Sequence, residues 1–155
     1  MSVNPSKPDG GDRRRLYLVR HGHVNYFDDT GRPLDPRSVR LSVDGEAQVA
    51  ALGNLLQGVT FDRAISSDYP RAAQTLEMIL SDGSVSGSSE STPALQEVRA
   101  GRLSLMPRKA IEAEVSGAYQ WSQNKDASFL RGERWEDFSA RVLEWFQTLL
   151  ADPNW

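Results

Sequence analysis

The chain has 155 residues, 39% of them hydrophobic and 25% charged, with a formal net charge of −3 and no cysteine. That length suits one domain with a real core and is too short for two. The acidic balance argues against sequence-independent nucleic-acid binding. The absence of cysteine removes a disulfide framework and thiol chemistry, and two histidines alone argue against a zinc site. No apolar run approaches the ~20 residues that a membrane span needs. Residues 1–12 are polar, carry Pro and Gly, and lack the apolar centre of a secretory signal. They read as a disordered leader ahead of a single domain over 13–155, in a cytoplasmic protein. Arg13-Arg14-Arg15 reads as a solvated entry to the first strand.

Taken in chain order, strand-like and helix-like segments alternate, which predicts an α/β sheet protein. Leu16 to Val19 is a short apolar run and the first predicted strand. Asn25 to Arg40 is polar, with Gly31, Pro33 and Pro36, and reads as a long surface loop. Ser42 is placed to cap a helix in which Val49, Leu52 and Leu56 recur at helical spacing, and Gly58 suits its end. Phe61 to Ser66 is a second strand, and Pro70 opens a helix over Arg71 to Leu80. Ser81 to Thr92 is rich in Ser and Gly without periodicity and is expected to be a mobile loop. Ala94 to Val98 reads as a short strand or extended segment. Pro107 to Val115 reads as a small helix with Ile111 and Val115 on one face, ended by Gly117. Tyr119 to Arg134 is irregular. The final helix spans Trp135 to Leu150, with Phe138, Val142, Trp145 or Phe146, and Leu149 as its buried stripe.

Chemistry concentrates where the first two strands end. Arg20-His21-Gly22 follows Val19 directly, so a cation, an imidazole and a glycine stand at the carboxyl end of a predicted strand. Ligands of open α/β sheets bind at that edge. Arginine presents a planar fork of donors suited to phosphate oxygens, and neutral imidazole serves as nucleophile or base near pH 7. Gly22 lets the backbone turn sharply and a ligand come close. Arg71 stands in the equivalent place after the second strand, at a helix N-terminus where unpaired N–H groups favour an anion. Parallel neighbouring strands would aim both guanidinium groups into one phosphate pocket. The alternative for Arg71 is an ion pair with Asp68.

These residues belong to a larger pattern. Leu16-Tyr17-Leu18-Val19-Arg20-His21-Gly22 resembles the signature of the histidine phosphatase superfamily, which includes cofactor-dependent phosphoglycerate mutases and many phosphatases. Further similarities follow in the family's order. They are Leu41-Ser42 with Gly45 and Gln48, then Ser66-Ser67-Asp68 with Arg71-Ala72-Ala73-Gln74-Thr75, then Leu95 and Glu97 with Gly101, and last Gly132-Glu133. Together they run from Leu16 to about Leu150.

The resemblance implies a three-layer α/β/α fold with a mostly parallel central sheet, like that of phosphoglycerate mutase. It implies His21 as the nucleophile that becomes a phosphohistidine, and Arg20 and Arg71, with Gly22, as the phosphate-binding group. Glu97 is implied as general acid and then base, which requires its pKa to lie above the ordinary carboxylate value. Without the family context, Glu97 reads more simply as a surface partner of Arg99 or Arg102. No metal or other cofactor is implied, because arginines supply the positive charge. The expected partner is a phosphorylated small molecule or phosphate ion.

Departures from the pattern refine these expectations. Relatives commonly carry Glu-Thr after the first motif and an asparagine three residues on; here His23, Val24 and Phe27 stand there, with Asn25 in another register. His23 and Asn25 are therefore candidates for substrate contact at the pocket mouth, beside the simpler reading of plain loop residues. Arg102-Leu103-Ser104 replaces the Trp-Glu-Gly element of mutases, which favours a phosphatase. Arg99, Arg102, Arg108 and Lys109 read equally as a site for a second anionic group and as surface charge. The family also places a second histidine after the last helix, on a strand of the sheet. No such histidine occurs before Trp155, and Asp152-Pro153-Asn154 reads as a turn into that strand. The expectation is a chain shortened at its C-terminus, with an exposed sheet edge that encourages a homodimer. Three functions follow: a phosphomonoester phosphatase, a mutase, and a catalytically silent phosphate-binding domain.

Overall fold

The structure is a computed structural model and describes residues 14–81, 85–121 and 127–153. The elements run α1 (Val43–Leu55), β1 (Phe61–Ser67), α2 (Pro70–Ile79), β2 (Val85–Thr92), α3 (Arg108–Trp121) and α4 (Trp135–Ala151). Single 3-10 turns lie at Pro93–Leu95, Leu103–Leu105 and Phe129–Arg131. β1 and β2 pair in parallel, connected through α2, so the described part is α/β with a parallel sheet. Among the described residues no helix is long and apolar enough to cross a membrane. The 1–12 leader lies outside the described residues.

Local chemistry accounts for most of these boundaries. Ser42 Oγ accepts the Gly45 N–H at 3.1 Å, and Asp44 and Glu46 place negative charge in the first turn of α1. Gly58, at φ +80°, turns the chain out of the helix toward β1. Pro70 occupies the first position of α2, where its missing N–H costs nothing. The core lies between α1, α2 and the 24–41 loop. Val24, Val39, Leu41, Val49 and Ile79 are buried there, with Leu52 and Leu56 half-buried against them.

Several expectations are corrected. Leu16 to Val19 forms no ladder, and Leu18 is 87% exposed. An apolar run becomes a strand only when a neighbour accepts its backbone hydrogen bonds; here Tyr17 instead packs edge-on against Phe61, centroids 5.5 Å apart. The expected loop over Ser81 to Thr92 is largely β2. Its sequence lacks alternation because it is exposed along most of its length, so main-chain pairing with β1 holds it. Gly87 serves that pairing: a Cβ there would overlap the Asp62 carbonyl, beside the register shift between Phe61 and Arg63. Ala94 to Val98 begins as a 3-10 turn, capped by Thr92 Oγ1 from the Ala94 N–H at 3.2 Å. α3 passes through Gly117 to Trp121, and Ile111 is buried while Val115 is exposed. In α4 only Leu149 of the stripe is buried, with Phe138, Val142, Trp145 and Phe146 half-buried.

One crossing controls how the 20–24 segment sits. Gly22 and Gly45 face each other backbone to backbone. A Cβ on Gly22 would come 2.5 Å from the Gly45 carbonyl oxygen, and one on Gly45 would overlap the His23 carbonyl. Gly53, further along α1, has its nearest neighbour atom 4.0 Å from a built Cβ. Gly45→Ala should therefore destabilise the fold by about 1–3 kcal/mol through overpacking, read as a lower urea midpoint. Gly53→Ala should stabilise the fold by the roughly 0.5–1 kcal/mol that a helical glycine costs, read as a higher midpoint. Equal effects of the two substitutions would contradict the crossing.

Candidate functional site

Arg71 organises the site. It is the second residue of α2, and its side chain is 2% exposed, rare for a guanidinium. Its Nε donates to His21 Nε2 at 3.2 Å, one Nη donates to the Pro36 carbonyl, and the other to Glu97 Oε2 at 2.9 Å. The Tyr69 ring lies 4.6 Å from the guanidinium carbon and the Tyr26 ring 5.8 Å. These partners and aromatic faces offset the several kcal/mol that burying an unpaired charge costs. Burial, foremost, raises both phenol pKa values above the ordinary range, so the tyrosines remain neutral beside the cation.

His21 is fixed by the same contacts. Its Nδ1–H donates to the Gly22 carbonyl at 2.7 Å, and Nε2 accepts from Arg71. This pair of bonds assigns the neutral tautomer with its lone pair on Nε2. Burial, foremost, lowers the imidazole pKa. Arg71 and Arg20 act in the same direction, against the opposing influence of the Gly22 carbonyl and Glu97. A neutral ring presenting a lone pair beside a cation is chemically a nucleophile with its anion-stabilising group in place.

The other predicted residues are distributed around this pair. Arg20 is exposed and lines a cleft of about 270 Å³ together with His21, Gly22, His23, Tyr26 and Gln48. Gly22 is buried; its N–H donates to Thr75 Oγ1 at 3.2 Å, and that hydroxyl donates to the Arg71 carbonyl at 2.8 Å. The close contact that demands glycine here is α1, where a ligand's approach was expected. His23 reaches the cleft with its ring against Ser42 Oγ at 2.8 Å and its N–H on Gln48 Oε1 at 2.9 Å. Asn25 is exposed and does not line the cleft. Glu97 is 56% exposed and pairs with Arg71, whereas Asp68 accepts from Gln96 Nε2 at 2.8 and 3.0 Å. The simpler pairings expected for Arg71 and Glu97 are thus replaced by a pairing with each other. Arg99 donates to Gln96, and Arg108 pairs with Glu112 and lies 4.6 Å above the Phe27 ring.

Sequence reasoning missed Tyr26, Tyr69, Thr75 and the Pro36 carbonyl as parts of the site. Tyr69 and Thr75 stood inside the Ser66–Thr75 segment, whose tight spacing around Arg71 was the available signal. Pro36 carried none, because its contribution is a backbone oxygen.

Comparison with known proteins identifies the family. A profile of the histidine phosphatase superfamily (branch 1) matches residues 16–155. The chain is 33% identical over 141 residues to the 2,3-bisphosphoglycerate-dependent phosphoglycerate mutase of Beijerinckia indica subsp. indica, covering 86% of this chain and 66% of that protein. It is 30% identical over 133 residues to the adenosylcobalamin/alpha-ribazole phosphatase of Escherichia coli K12, covering 83% and 63%. The structure of the alpha-ribazole phosphatase from Shigella flexneri superposes with a TM-score of 0.64 at 26% identity, over 85% of this chain and 65% of that one. The chain thus spans just under two thirds of the length of these relatives. The ordered motifs, the parallel α/β fold and the matched profile make this chain a member of the histidine phosphatase superfamily.

Proposed function

We propose that this chain carries a phosphatase site acting through a phosphohistidine at His21. In the first step the Nε2 lone pair attacks phosphorus, an N–P bond forms, and the P–O bond to the leaving group breaks. Glu97, protonated beside the negative phosphoryl group, gives its proton to the departing oxygen. In the second step Glu97, now a carboxylate, takes a proton from water as the water oxygen attacks phosphorus. The N–P bond breaks, and phosphate and neutral His21 are released. Arg71 and Arg20 balance the charge that builds on the phosphoryl oxygens. His23, at the mouth of the cleft, is the proposed contact for the rest of the substrate, a phosphorylated small molecule. The observation that carries this reading is the shared guanidinium of Arg71, which bonds His21 Nε2 at 3.2 Å and Glu97 at 2.9 Å. Relatives are named both as phosphatases and as mutases; the residues after Glu97, Arg102-Leu103-Ser104, support water as the final acceptor.

Exposure of the 155-residue chain to p-nitrophenyl phosphate should leave an acid-labile phosphoryl group on His21. His21→Ala should abolish both label and turnover, and Glu97→Gln should slow turnover of an alkyl phosphate by about 10²–10⁴-fold. Phosphate or vanadate binding with no label on the unmodified chain would overturn the proposal in favour of a silent binding domain.

The neutral state of His21 is separately measurable by NMR titration of its ring nitrogens. The midpoint should fall below the ordinary imidazole value of about 6.5, with the proton on Nδ1 above it. Protonation is disfavoured in the folded chain, so stability holds above that value and declines as the pH drops toward the lowered midpoint. A midpoint at or above the ordinary value would contradict the burial argument.

A further inference from the structure

Glu133 is half-buried, charged and remote from the imidazole in the hydrogen-bond network. Its side chain is 10% exposed, and both carboxylate oxygens are engaged. Oε1 accepts from Arg141 Nε at 3.1 Å, and Oε2 accepts from Arg141 Nη2 at 2.9 Å and from the Arg99 backbone N–H at 3.0 Å. Burial, the largest influence, raises its pKa, but the Arg141 fork, the Arg99 amide and the nearby charges together hold it below the ordinary value. The remaining nitrogen of Arg141 turns the other way. Nη1 donates to the carbonyls of Pro93 at 3.2 Å, Ala94 at 2.8 Å and Gln96 at 3.1 Å. The Glu133 N–H completes the tie by donating to the Arg99 carbonyl at 2.8 Å.

One ion pair therefore grips the chain immediately before Glu97, at the Gln96 carbonyl, and two residues after it, at Arg99. Between these ties Glu97 is exposed and reaches Arg71 with a single oxygen. A bidentate pair restricts geometry as well as position. Taking such a pair largely out of water also costs desolvation that offsets much of its Coulombic gain, so its stabilising effect alone is modest. From this we infer that Glu133 and Arg141 are positioning residues that set where the Glu97 carboxyl stands. The inference rests on the proposed role of Glu97, and it makes the family's Gly-Glu element part of the acid–base apparatus by way of the backbone.

The test exploits leaving-group chemistry in the 155-residue chain. p-Nitrophenolate departs without a proton, so phosphorylation of His21 by p-nitrophenyl phosphate does not need a placed acid, whereas an alkyl phosphate does. Glu133→Gln and Arg141→Lys keep shape but lose the charged fork. In both, the p-nitrophenolate burst should stay within about threefold of the unmodified chain. Alkyl phosphate turnover should fall at least about tenfold, on the scale of a displaced general acid. Adding Glu97→Gln should then cost little beyond Glu97→Gln alone, since coupled residues are non-additive. Equal loss of burst and alkyl turnover would reduce the pair to a structural role and overturn the inference. Unchanged alkyl turnover in both variants would also overturn it. No burst in the unmodified chain would remove the nucleophile assignment first, and this inference with it.

Discussion

A buried guanidinium needs acceptors, and the acceptors that Arg71 finds come from four separated parts of the chain. The imidazole of His21, the Pro36 carbonyl, the Glu97 carboxylate and the faces of Tyr26 and Tyr69 all converge on it. Leaving any of them out would strand charge in a site with little access to water. The requirement works in both directions: the fold places Arg71 through α2, and Arg71 then dictates where the 20–24, 36 and 97 segments must lie. Thr75, one turn along α2, extends the same control by holding the Gly22 amide and the Arg71 carbonyl with one hydroxyl. Electrostatic demand and tertiary structure are in this respect one constraint.

The second constraint is steric. The Gly22–Gly45 crossing brings the start of α1 against the backbone that carries His21, and Ser42 joins the two by accepting the Gly45 N–H and donating to the His23 carbonyl at 3.2 Å. The helix cap and the imidazole are consequently parts of one assembly. The 93–101 segment is held in a different manner, by side chains that reach its carbonyls and amides from α4 and from the turn before it. The proposed nucleophile thus sits on a backbone crossing, and the proposed acid sits on a strap.

How much of this was legible depends on the type of signal. α1 and α2 announce themselves by Ser42 and Pro70 and by apolar spacing, and Arg71 by its place after β1. β2 was hidden because Val85–Thr92 is mostly exposed, so no hydrophobic period marks it. Leu16 to Val19 misled in the opposite way: its composition suits a strand, yet composition supplies no pairing partner. The convergence of Arg71 and Glu97 followed from the ordered motifs rather than from local pattern, since the two are 26 residues apart. Arg141 was illegible altogether. Its Nη1 bonds go to backbone carbonyls 45 to 48 residues away, and backbone oxygens leave no trace in side-chain identity.

The excursion over residues 25–40 is pinched shut at its foot. The Val24–Leu41 bridge, the Ser42 N–H on the His23 carbonyl at 3.0 Å and the Leu41 N–H on Gln74 at 3.0 Å all lie at that neck. Its far end is an independent knot, in which Asp28 Oδ1 gathers the N–H groups of Thr30 and Arg32 inside a Phe27–Pro33 bridge. Lengthening such a closed excursion costs only slowly growing entropy. Natural variation can rebuild the knot with little disturbance below the neck, provided the Pro36 oxygen still reaches Arg71. Sequence divergence is then free to accumulate at the knot while the Arg71 network beneath the neck is inherited unchanged.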